Sequence, residues 1–156
     1  GLSKYYAMTG WRLGYMIAPE PLARRLDLLM THAVGCTASF TQMAGIEGLN
    51  GDQIRVDEAL EAYRMKRDLM VKGLNTIPGF SCRPPGGAFY AFPNIRETGF
   101  SSGDLAMKLL DKAGVACLSG TDFGDNGEGY LRLCYAGSPE DITMGLERIA
   151  DCMKRM

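Results

Sequence analysis

Histidine is almost missing from this 156-residue chain: His32 is the only one. A Ser–His–Asp triad or a histidine-built metal centre would rest on that single imidazole, and a structural place on a helix face is the plainer reading. An excess of either charge is missing too. Lys and Arg number 17 against 18 Asp and Glu, a net charge of −1. No basic field is therefore available to hold nucleic acid or an anionic membrane. No apolar run approaches the roughly 20 residues of a membrane-spanning helix. The five cysteines are odd in number and show no C-x-x-C spacing, so reduced, mostly buried thiols in a cytoplasmic protein are expected. What remains is an ordinary globular composition, 46% hydrophobic and 22% charged, long enough to bury a core.

Local signals give the order of elements. Residues 13–18, LGYMIA, read as a short buried strand. Pro19–Glu20–Pro21 stops it and opens a helix with Leu22, Leu26, Leu29 and Met30 on one stripe. After a small, polar loop at 35–41, a short helix is expected from about Thr41 to Leu49, closed by Asn50–Gly51. Asp52 can cap a helix of about 20 residues whose apolar face is Val56, Leu60, Tyr63, Met70 and Leu74, with Gly73 and Asn75 marking its end. Phe80–Arg83 reads as a strand, Pro84–Gly87 as a turn and Ala88–Phe92 as a second, aromatic strand. Ser101 and Asp104 form a capping box for a helix over 102–113, ended by Gly114. Val115–Leu118 and Tyr130–Tyr135 read as strands, the latter with Leu131, Leu133 and Tyr135 on one face and Arg132 on the other. Ser138, Pro139 and Asp141 open a final amphipathic helix. The pattern predicts an α/β layered unit with a small, mixed sheet covered by helices. Residues 1–50 have too few elements to cover their one strand and read as the tail of a larger domain, whereas 51–156 read as a compact domain.

Two residues near the beginning could carry chemistry. Lys4 follows Ser3 and lies among small and apolar neighbours. A lysine placed in a desolvated pocket loses proton affinity, and its neutral amine can form an imine with a carbonyl. Arg12 offers a planar fork for a phosphate or carboxylate, to which Ser3 can add a hydroxyl. Amine, fork and hydroxyl together suit pyridoxal phosphate, an aldehyde carrying a phosphate. The arginine in mid-strand, Arg132, is either on an exposed edge or buried and paired. The glycine-rich stretch 120–129 lacks the Gly-Lys-Ser/Thr end of a P-loop and the spacing of an EF-hand, and it reads as a mobile loop.

The run Gly1-Leu2-Ser3-Lys4-Tyr5-Tyr6-Ala7-Met8-Thr9-Gly10-Trp11-Arg12-Leu13-Gly14 resembles the cofactor-attachment motif of class I/II aminotransferases, the fold-type I aspartate aminotransferase superfamily. Pro84–Tyr90 and Tyr130–Ala136 are similar to two later segments of that family, in the same order, with Cys134 where the family often has serine. The resemblance implies Lys4 as the Schiff-base lysine, Ser3 and Arg12 on the cofactor phosphate, and Arg132 on the α-carboxylate of an amino-acid substrate, with no metal. It implies that residues 1–50 are the C-terminal remnant of the large cofactor-binding domain and 51–156 the small C-terminal domain. It also implies exchange of an amino group between an L-amino acid, aspartate first, and a 2-oxo acid, in a homodimer. The acid that faces the pyridine nitrogen would lie outside these residues, so the segment alone is expected to be inactive. A β-lyase or synthase of the same fold, and a non-catalytic interaction domain, are the alternatives.

Overall fold

The computed structural model describes residues 1–156 and divides them into two compact units, Gly1–Ala59 and Leu60–Met156. The first unit holds α1 (Leu2–Tyr5), a 3-10 turn at Thr9–Trp11, α2 (Glu20–Ala33) and α3 (Ser39–Asn50). The boundary falls inside α4 (Ile54–Leu74). The second unit adds β1 (Tyr90–Ala91), α5 (Ser102–Ala113), β2 (Leu118–Ser119), β3 (Leu131–Cys134) and α6 (Pro139–Lys154). No helix is long and apolar enough to cross a membrane.

The helices begin and end where local chemistry predicts. The Ser101 and Ser138 hydroxyls accept hydrogen bonds from the Asp104 and Asp141 amides at 3.2 and 3.1 Å, each satisfying an N–H that the first helical turn leaves open. The Asp52 carboxylate accepts from the Ile54 amide at 2.8 Å. Gly114 ends α5 in the left-handed region, φ 63°. Gly73 does not end α4. It lies inside it, and a Cβ there would strike Leu146, so the absent side chain is what lets α6 pack close to α4.

The sheet is antiparallel throughout, in the order β1-β3-β2, which corrects the mixed sheet inferred from sequence. Both β1 and β2 run opposite to β3, so they point the same way as each other, as a strand–helix–strand crossover through α5 requires. The last strand then inserts between them. Sequence periodicity reports the crossover but not the insertion. The α/β class, a small sheet with helical cover, stands.

Two expected strands are absent. Tyr15, Met16 and Ile17 are exposed and residues 13–18 form no strand. The first unit contains no other strand against which they could form a ladder. Phe80–Arg83 is reduced to one reciprocal pair, with Ser81 and Asn94 exchanging amide–carbonyl bonds at 2.9 and 2.8 Å. The next residue is served by a side chain. The Asn75 amide accepts from the Cys82 N–H at 2.7 Å and donates to its carbonyl at 3.0 Å, doing what a neighbouring strand would do.

The core of the second unit lies between the helices and one face of the sheet. Met70, Val71 and Leu74 of α4, Leu105 and Leu109 of α5, Ile142, Leu146 and Ile149 of α6 pack with Ala91, Leu131, Leu133 and Tyr135. The stretch 120–129 is a bonded structure rather than an open loop. Two 3-10 turns, Gly120–Phe123 and Asp125–Gly127, lie back to back, and a Cβ on Gly120 or Gly127 would collide with the other's backbone. Fully buried Ser102 ties this stretch down. Its hydroxyl accepts from the Gly129 and Tyr130 amides at 2.8 and 3.1 Å and donates to the Gly127 carbonyl, while the Glu128 carboxylate accepts from the Ser102 N–H at 2.9 Å.

All five thiols are free; Cys36 and Cys134 are exposed, Cys82 and Cys152 buried, and Cys117 partly buried. Burial pushes the Cys117 thiol up to about 11 and raises Cys82, which a hydrogen bond at the Phe92 backbone partly offsets.

Ser102→Ala leaves the buried Gly129 amide without its acceptor and the Tyr130 amide with the Gly127 carbonyl alone, and should cost about 2 kcal/mol, read as a lower urea midpoint at unchanged slope. A loss below a few tenths would show that the stretch 120–129 does not depend on this hydroxyl. Alkylation of the native protein should modify Cys36 and Cys134 first. The Cys117 contribution to stability is complete below its unfolded value of 9.0 and is lost as pH rises through about 11, because the unfolded chain then binds fewer protons. Thermal melts across the alkaline range should therefore fall more steeply for the parent than for Cys117→Ala.

Candidate functional site

The first twelve residues are held by the small side of α3. Thr41 and Gly45 are buried one turn apart, and Leu2 and Met8 are buried with them. A Cβ on Gly45 would strike the Leu13 side chain, and one on Gly48 would touch Tyr6 and Met8 at 3.7 Å. Glycine at these positions lets the segment lie close against the helix.

Within the segment the backbone is held in an uncommon shape. Ala7 and Arg12 are non-glycine residues in the left-handed region, φ 53° and 54°. Each costs roughly 1–2 kcal/mol, and such residues concentrate at functional sites. The Thr9 hydroxyl donates to the Ser3 carbonyl at 3.2 Å, and the Arg12 guanidinium donates to the Thr9 carbonyl at 3.1 Å. Ser3, Thr9 and Arg12 are thus linked into one turn with Lys4 on α1. Lys4 is exposed and Ser3 partly buried, which differs from the desolvated pocket expected for the lysine. Arg12 has one N–H engaged, and no carboxylate of the chain lies within 4 Å of its guanidinium. An open cavity of about 920 Å³ runs beside it, lined by Trp11, Arg12, Tyr15, Asp27, Met30 and Thr41 among others.

Arg132 belongs to the second unit. Alternation along β3 turns Leu131, Leu133 and Tyr135 into the core and Arg132 to the outer face of the sheet. Tyr90, Phe92 and Tyr130 share that face. The Arg132 guanidinium lies 4.3 Å from the Tyr90 ring centre and 4.2 Å from that of Phe123. Phe92 stacks on Tyr130 at 5.3 Å and meets Phe123 edge-on at 6.3 Å, and Arg96 covers the Tyr130 ring at 4.9 Å. No carboxylate of the chain lies within 4 Å of Arg132. Of the two places its sequence left open, neither an exposed edge nor a salt-bridged interior applies: it is a partly buried cation on the central strand, faced with aromatic rings.

The turn before β1 has a similar constraint. Ala88 is left-handed, φ 60°, and its carbonyl accepts from the buried Tyr135 hydroxyl at 3.1 Å, while the Tyr135 amide donates to the Phe89 carbonyl at 3.0 Å. Burial pushes the phenol above its usual range and keeps it a donor. This fixes where β1, and so Tyr90, begins. Sequence reasoning named Arg132 but missed Phe123. The one signal was a lone aromatic in a glycine-rich run.

The profile of the family Aminotransferase class I and II matches residues 1–149, and the chain belongs to that family. An aspartate aminotransferase of Pyrococcus horikoshii is 42% identical over 154 residues, covering 97% of this chain and 39% of that protein. A probable N-acetyl-LL-diaminopimelate aminotransferase of Bacillus subtilis is 38% identical over 152 residues, covering 96% of this chain and 38% of that protein. A solved aromatic aminotransferase from Pyrococcus horikoshii superposes with a TM-score of 0.95 at 37% identity, covering 99% of this chain and 42% of that one. The chain spans about two-fifths of the length of these relatives.

Tyr135→Phe removes the donor to Ala88 and should cost about 1 kcal/mol. Hydrogen exchange at the amides of residues 86–90 should quicken more than at α5, and equal quickening at both would show the phenol is not what holds this turn.

Proposed function

We propose that this chain supplies the lysine, the phosphate-binding residues and the carboxylate-binding arginine of a pyridoxal-phosphate-dependent aminotransferase. The enzyme would move an amino group between an L-amino acid and a 2-oxo acid. The observation that carries this reading is the turn linking Ser3, Thr9 and left-handed Arg12 beside Lys4. Its donor set fits the cofactor: an amine for an aldehyde, and a guanidinium with free donors plus a hydroxyl for a phosphate. Residues 1–18 contain no acid that would repel an anion.

On this reading Ser3 and Arg12 hold the phosphate by charge-assisted hydrogen bonds. Lys4 Nζ would bind the cofactor's aldehyde end and, as a free amine, would take the substrate's Cα proton and later give it up, acting first as base and then as acid. The bound cofactor supplies the sink for the electron pair that the proton leaves behind. Arg132 grips the α-carboxylate through two parallel N–H donors. Aspartate is the first substrate to try, since an aspartate aminotransferase is 42% identical to this chain. A homodimer follows the same reading. Residues 1–156 by themselves are proposed to be inactive, because none of them is assigned to the pyridine nitrogen.

Borohydride reduction of the whole protein with pyridoxal phosphate, followed by peptide mass spectrometry, should place the cofactor's mass on Lys4, and Lys4→Arg should carry none. Label on another lysine, or none in a folded protein, would overturn the assignment. Titration of residues 1–156 alone with micromolar cofactor should give no absorbance band beyond those of the free cofactor, and a red-shifted band would contradict this.

A further inference from the structure

We infer that Tyr90 and Phe123 are positioning residues for Arg132: the two rings flank the guanidinium and aim its N–H edge at a planar carboxylate. The inference rests on the reading of Arg132 as the α-carboxylate residue and goes beyond it to ask what holds that arginine ready.

An arginine side chain has four rotatable bonds, and holding it in one orientation costs most of its rotamer freedom. On the outer sheet face that cost is offset before any ligand arrives. The guanidinium contacts both rings at 4.2–4.3 Å. The two rings come from separate segments, Tyr90 from β1 and Phe123 from the glycine-rich stretch, and both lie against the same cation. Stacking uses the faces of the guanidinium and leaves its in-plane donors available. A planar anion approaching in that plane takes two parallel hydrogen bonds, whereas a carboxylate of the chain would compete for them, and none lies within 4 Å.

Both rings are themselves fixed. Tyr90 begins β1 after the Ala88–Tyr135 bond and meets the Phe89 ring at a tilt of 52°, 4.6 Å between centres. Phe123 closes the first 3-10 turn of the glycine-rich stretch, which the Gly120–Gly127 contact and the Ser102 hydroxyl pin, and Phe92 braces it edge-on. Phe123 is half exposed, although nothing in the turn's own bonding requires an aromatic there. Its contact with Arg132 gives that residue a purpose.

The test uses the whole holoenzyme and compares kcat/KM for an amino acid with that for the matching amine, which lacks the carboxylate. Phe123→Leu and Tyr90→Leu should each lower the amino-acid-to-amine ratio about tenfold, mainly through a higher KM. Phe123→Tyr and Tyr90→Phe, which keep a ring, should restore it. A ratio unchanged in a folded Leu variant overturns the inference. So does an equal fall for both substrates, the mark of a merely structural role. Should one Leu variant not fold, the other ring tests the same claim independently. Arg132→Gln is the control. If it leaves the ratio unchanged, the carboxylate reading itself fails; if it collapses the ratio while the Leu variants do not, only the positioning role fails.

Discussion

Strand β3 has four residues, and their alternation keeps two opposed demands apart. Leu131 and Leu133, with Tyr135 beyond them, need a dry environment and receive it from three helices. Arg132 needs its charge solvated or matched, and the opposite face gives it aromatic rings and open donors. A slip of one residue in the pairing with β1 or β2 would exchange the two sets, putting a guanidinium in the core and leucines outside. The hydrophobic effect thus fixes the register, and the register fixes the direction of the arginine.

The first unit solves a similar problem with glycine. Its first twelve residues are only a short helix and a tight turn, structures that bury little of their own. Small residues on α3 let Leu2, Met8 and Leu13 approach closely, and this packing anchors a backbone that carries two left-handed residues. The outer residues of α2 and α3, among them Leu28, Leu29, Phe40 and Met43, stay exposed. The residues that hold the turn are therefore distinct from those that present apolar surface.

The legible parts of the sequence were those fixed by local chemistry. Helix starts at Ser101 and Ser138 and the stop at Gly114 follow from hydrogen bonds within a few residues, so they could be read directly. The inward and outward faces of 130–135 were legible for the same reason. The antiparallel sheet, the reduction of 80–83 to one bridge, and the packing role of Gly73 all depend on partners far along the chain. A side-chain amide replacing a strand at Cys82 leaves no periodic trace. The lysine, serine and both arginines were visible as residue types and as a motif. The rings around Arg132 were not, because register and the glycine turn bring them together from three separate segments.

The two glycine-rich stretches of the second unit differ in how much change of length they can absorb. Gly86 and Gly87 have open space around them, so an inserted residue would bulge outward at small entropic cost. At Gly120 and Gly127 backbone touches backbone, and one added residue would part the two turns and carry Phe123 off the guanidinium. Length variation among natural versions of this chain should accumulate at the first stretch and be purged from the second.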